Sequence, residues 1–165
     1  IVRRAYRRHL NQAKTIAQLY QEEERGFSQR RWGADNVFTR RPVEFARVLR
    51  NRMPASPARD AQAVLLFKGR PQLPAAACSV VDDFYAAFYA IWDDQSDDAV
   101  MMDYVHSLYA DVVPLGSGSN INEMNQEGRR NDIPTCYSPE SWATLARLRA
   151  KWDPQQVFHD FFGRS

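Results

Sequence analysis

The nine residues Phe84 to Trp92, FYAAFYAIW, constrain this chain more than any other stretch. They carry no charge, no proline and no glycine, so they call for burial. Read with period two, Phe84, Ala86, Phe88, Ala90 and Trp92 share one side, and Tyr85, Ala87, Tyr89 and Ile91 share the other. Both sides are apolar, which suits a strand covered on both faces. The length also suits a helix, and the alanines permit one. The aromatics favour the strand, and Asp93-Asp94 end it abruptly.

The rest of the chain supplies partners for such a strand. Ala63 to Phe67, AVLLF, reads as a second buried strand, bounded by Lys68-Gly69-Arg70-Pro71. Residues 2–24 form an amphipathic helix with Val2, Ala5, Tyr6, Leu10, Ala13, Ile16, Ala17 and Tyr20 on one stripe, stopped by Gly26. Residues 27–38 read as a loop or short strand around Trp32-Gly33. Thr39 to Pro42 opens a helix with Phe45, Val48 or Leu49, and Met53 on its apolar side. Residues 54–60 are a short Pro-rich connection between elements. Ser96 begins the next helix, with Asp97 and Asp98 in its first turn, where the helix dipole favours negative charge. Pro114 ends it, and Gly116 and Gly118 permit a close approach into a strand over Asn120 to Glu123. Residues 125–134 are polar and read as a surface loop.

This alternation predicts an α+β fold: a mainly antiparallel sheet with helices packed on one face. The 165 residues are enough for a single domain spanning 1–165. No apolar run reaches membrane-spanning length and no signal peptide is visible, so the expectation is a cytoplasmic protein. The chain starts Ile1-Val2-Arg3-Arg4 without an initiator Met, which reads as a fragment or a processed chain. Cys78 and Cys136 lack CxxC spacing, and His9, His106 and His159 are scattered, so no metal site is expected. Asp93, Asp94, Asp97 and Asp98 lack the Gly and closing Glu of a calcium loop.

Charge is uneven. Residues 1–60 hold 14 Lys/Arg against 6 Asp/Glu, and residues 61–165 hold 8 against 14. A basic half can mark a nucleic-acid surface. Here the arginines lack the interleaved aromatics of single-strand binders, so a solvated helix face is favoured over nucleic acid.

The closing segment, YSPESWATLARLRAKWDPQQVFHDFF, reads as a capped helix, a break and an apolar tail. Ser138 supplies the cap, Pro139 suits the first helical position, and Glu140 meets the positive end of the dipole. Asp153-Pro154 stops the helix. Trp152, Val157 and Phe158 are expected to dock as apolar anchors.

Together, Tyr137-Ser138, Leu145, Leu148, Lys151-Trp152-Asp153-Pro154 and Val157-Phe158 resemble the closing segment of berberine-bridge-enzyme-like FAD-linked oxidases. Upstream, Gly118-Ser119-Asn120-Ile121-Asn122-Glu123 resembles the family's glycine-Tyr-x-Asn strand, which passes over the flavin. The resemblance covers roughly the last hundred residues, with 118–162 as the closing segment. It implies a substrate-binding domain whose sheet turns one face to FAD. FAD itself would be held mainly by an N-terminal half that this chain does not contain, in the same or a separate chain, leaving the isolated chain inactive. No Gly-rich phosphate loop, GxGxxG or nucleophile elbow is present.

The resemblance implies that Asn120, Asn122 and Glu123 face the cofactor. Amides both donate and accept, which suits flavin edges or substrate hydroxyls. The alternative is that Asn120 and Asn122 satisfy backbone groups at a strand end. Where relatives carry a tyrosine base, Asn120 stands here, and an amide cannot be a base. Tyr89 or Tyr137 are the candidate replacements. Tyr85, Tyr89 and Trp92 are candidates to line a pocket for an alcohol or amine substrate, set against ordinary core packing. The alternative function is a non-catalytic α+β module whose basic N-terminal helix binds an acidic partner or nucleic acid.

Overall fold

The computed structural model describes residues 13–27, 30–69, 80 and 82–158. Residues 2–12 of the expected first helix, together with Cys78, His9 and His159, lie outside the described residues. The described chain separates into two units, with the boundary at Arg30.

The first unit contributes α1, Ile16–Phe27, an amphipathic helix. Its N-terminus is held by a reciprocal bond: Thr15 Oγ1 accepts from the Gln18 N–H, and Gln18 Oε1 accepts from the Thr15 N–H. The helix passes through Gly26 instead of stopping there, which corrects the sequence expectation; a glycine weakens a helix without forbidding it.

The second unit is built on a four-stranded antiparallel sheet. In chain order its elements are β1 (Arg31–Thr39), α2 (Pro42–Arg52), β2 (Gln62–Phe67), β3 (Phe84–Trp92), α3 (Asp98–Val112), β4 (Gly116–Gly118), α4 (Gln126–Arg129) and α5 (Pro139–Trp152). The strand order is β2-β3-β1-β4. β3 is a central strand, pairing with β1 from Arg31↔Trp92 to Thr39↔Phe84 and with β2 on its other side. The expected strand over Phe84 to Trp92 and the α+β class are therefore both observed.

The main core lies on the face covered by α2 and α3. Val37, Ala86, Phe88, Ala90 and Trp92 meet Phe45, Met101, Val105, Leu108 and Val112 there. Gly33 permits the close approach of α3, because an added Cβ would run into Met102. Burying Phe45 and Phe88, both sealed from solvent, contributes roughly 1.5–3 kcal/mol each.

Four sequence expectations change. β1 is a full nine-residue strand despite Gly33, Asp35 and Asn36, because it is paired on both edges. β2 is an edge strand and mostly exposed, not buried; it has a neighbour on one side only. Residues 125–134 are not a surface loop but a helical turn and a 3-10 segment, with Asn125, Arg129 and Ile133 buried. Finally, α5 forms as expected, with the Ser138 hydroxyl accepting from the Ser141 N–H at 3.2 Å, but the tail does not dock. Trp152, Val157 and Phe158 are 70%, 76% and 71% exposed. The tail instead folds around the buried Asp153 carboxylate, which accepts from the Val157 and Phe158 N–H groups.

Candidate functional site

On the sheet face opposite α2 and α3, period two places Tyr85, Ala87 and Tyr89 of β3 beside Phe38 and Asn36 of β1. A 3-10 turn, Ile121–Glu123, lies against this face. Asn120 to Glu123 is therefore not a strand, which corrects the sequence expectation. The cause is local: the Asn120 side chain accepts from the Asn122 N–H at 3.2 Å and folds the backbone into a turn.

The turn delivers Glu123 to the two tyrosines. Glu123 Oε2 accepts from the Tyr85 hydroxyl at 2.5 Å and from the Tyr89 hydroxyl at 2.6 Å. The Asn120 side chain also acts on the Tyr85 phenol, opposing a rise in its pKa. Burial raises the Tyr85 phenol well above its ordinary range, and the hydrogen bond to Glu123 adds to the rise. Lys68 Nζ stands 5.1 Å from the centre of the Tyr85 ring. Among the described residues, Glu123 Oε1 accepts no hydrogen bond.

The structure thus brings together Tyr85, Tyr89, Asn120 and Glu123. Asn122 is at the same turn, with its side chain exposed. It does not bring Trp92 or Tyr137 to them. Trp92 faces the opposite side of the sheet, in the main core, and its indole N–H donates to Asp98 at 2.8 Å. Tyr137 packs on Trp142, ring centres 5.5 Å apart, beside Met124, Ile133 and Cys136.

The turn is seated by residues that the sequence reading did not single out. Asn36, fully buried, clasps Asn120: its Oδ1 accepts from the Asn120 N–H at 2.6 Å, and its Nδ2 donates to the Asn120 carbonyl at 2.9 Å. Ser119 Oγ donates to the Asn36 carbonyl at 2.8 Å and accepts from Arg129 at 3.2 Å. Arg129 pairs with Asp35, bonds Asp132 at 3.2 Å, and lies 3.5 Å over the Tyr109 ring. Burial raises Asp35 to about 6, against the pull of Arg129; burial likewise raises Tyr109. His106 meets Asn125 nearby, and Gly128 leaves room for the imidazole. The available signal was Asp35-Asn36 inside an otherwise apolar run, a pattern that demands buried partners.

Among the described residues, no group of His, Cys, Asp and Glu gathers as a metal-ligand set, and no helix is long and apolar enough to cross a membrane.

No protein-family model matches the chain, and no curated protein matches its sequence. Among solved structures, the fold is similar to that of a variant of BBE-like 1 from Physcomitrella patens. The TM-score is 0.62 at 16% identity, covering 82% of this chain and 31% of that one. At this identity the likeness is one of fold. This chain thus spans under a third of the length of that protein.

Proposed function

We propose that this chain is the substrate-domain portion of an FAD-dependent oxidoreductase, and that Glu123 is the group on it that receives a proton from the substrate. The observation that carries the reading is the shared acceptor geometry: one Glu123 oxygen is fixed by two phenols while the other accepts nothing among the described residues. The likeness of fold to a BBE-like protein supports the oxidoreductase class.

The described residues fit a flavin ring in part. They offer an aromatic sheet face, a carboxylate, and the exposed Asn122 amide to meet a polar ring edge. The Asn120 side-chain oxygen is already spent on the turn. Nothing in the sequence resembles a phosphate-cradling loop, so the diphosphate would be held by a separate FAD-binding half. A flavin, when bound, supplies the hydride acceptor.

The chain's own residues then have definite tasks. An alcohol or amine substrate donates its O–H or N–H to Glu123 Oε1. Tyr85 and Tyr89 hold the carboxylate still, so its orientation is set before substrate arrives. The substrate proton moves to Glu123 as the carbon is oxidised. Tyr89, whose hydroxyl donates a hydrogen bond to Glu123, acts as a holder of the carboxylate and not as the base.

The test is to purify the full-length protein that contains this chain and record its visible spectrum. A yellow protein with flavin absorbance, bleached anaerobically by an alcohol or amine, is the expected result. A protein that neither contains nor takes up flavin overturns the reading.

A further inference from the structure

We infer that Asn36 is a positioning residue: by holding both backbone polar groups of Asn120, it sets where the Glu123 carboxylate stands against Tyr85 and Tyr89. This deepens the reading above and rests on Glu123 as the proton acceptor.

The residues form a continuous line. Asn36 sits in the middle of β1, on the face that also carries Tyr85 and Tyr89. Its side chain is sealed from solvent, and both ends of its amide go to Asn120. A strand residue spending its entire amide on one residue 84 positions away fixes that residue in two dimensions. Asn120 then acts in two directions. Its side chain accepts from the Asn122 N–H, which makes the turn. Glu123 closes the turn, with its N–H donating to the Asn120 carbonyl at 3.2 Å. That carbonyl therefore receives both the Asn36 amide and the Glu123 N–H.

The back of this clasp is fixed as well. The Asn36 carbonyl accepts from Ser119, which in turn accepts from Arg129, held by the buried Asp35. The bonds from Asn36 through Ser119 to Arg129 favour one arrangement of the clasp over its neighbours. No apolar residue of similar size can replace Asn36, because it would leave the Asn120 N–H and Glu123's partner carbonyl short of partners.

The test uses the full chain with tyrosine labelled at Cζ with carbon-13, without flavin or substrate. The Tyr85 and Tyr89 lines report donation to a carboxylate. Glu123→Ala, which leaves no acceptor there, supplies the reference for its loss. Asn36→Ala is expected to move both lines toward their Glu123→Ala positions. In the parent, hydrogen exchange at the Asn120 amide is expected to be slowed about a hundredfold or more relative to an open chain. A folded Asn36→Ala whose tyrosine lines stay at parental positions overturns the inference, and so does an unprotected Asn120 amide in the parent. The second measurement decides alone if Asn36→Ala fails to fold. Because neither readout involves a flavin, a failure here is distinguishable from a failure of the flavoenzyme reading.

Discussion

The Arg129 guanidinium and the Asp35 carboxylate form an ion pair with both partners shielded, Asp35 at 0% and Arg129 at 6% exposure. The pair spans 94 residues of sequence and ties the segment after β4 to the centre of the sheet. Removing one partner leaves the other as a buried unpaired charge. Arg129→Met is therefore expected to cost about 3–5 kcal/mol. Chemical denaturation measures it; a loss under 1 kcal/mol would show that the pair is not sealed in solution.

The same pair gives stability a pH dependence. Burial raises the folded Asp35 from 3.8 to about 6, and one of its oxygens is buried without a hydrogen-bond partner among the described residues. The folded chain thus binds this proton more tightly than the unfolded chain does. Asp35's contribution is fully present below 3.8 and is lost as pH rises through about 6, by roughly 3 kcal/mol at most. Urea melts from pH 4 to 7 should show this component in the parent and not in Asp35→Asn. A pH dependence unchanged by Asp35→Asn would contradict the assignment.

Gly118 shows how tightly the segment before the Glu123 turn is seated. A Cβ there would come within 2.6 Å of the Thr135 carbonyl and overlap Val80. A backbone oxygen cannot swing away as a flexible side chain can. Gly118→Ala is expected to destabilise by about 1–3 kcal/mol. Gly33→Ala meets the Met102 thioether first, which can move, and should cost less. Equal melting temperatures for the two variants would undo the distinction.

At the other end of the chain, Phe158 is exposed and Ser138 caps α5. Phe158→Ala should leave stability within about 0.5 kcal/mol of the parent, while Ser138→Ala should cost about 1 kcal/mol. A large loss on removing Phe158 would restore the docked tail that the sequence suggests.

These cases show where sequence reading succeeds. Phe84 to Trp92 is legible as a strand because every side chain there needs burial and both faces receive it. The start of α5 is legible because Ser138 and Pro139 act within one turn. The Asn120 turn is misread because Asn-Ile-Asn-Glu alternates like a strand, while the deciding bond, Asn120 to the Asn122 N–H, is a side-chain choice. The residues Asn125 to Pro134 look solvated because their burial depends on Asp35, far away in sequence. Glu123, Tyr85 and Tyr89 are each visible in the sequence, but their meeting requires the turn. Trp92 is the converse: period two places it on the opposite face from Tyr85, and the sheet keeps it there.

The central claim is that Glu123 receives the substrate proton. It is tested most directly by stopped-flow reduction of the flavin in the full-length protein, parent against Glu123→Gln, at saturating substrate. Glutamine keeps the shape and can still accept from the tyrosines, but it cannot take the proton. The account predicts reduction slowed by about 10²–10⁴-fold, with the flavin still bound. Reduction at the parental rate in Glu123→Gln would contradict it.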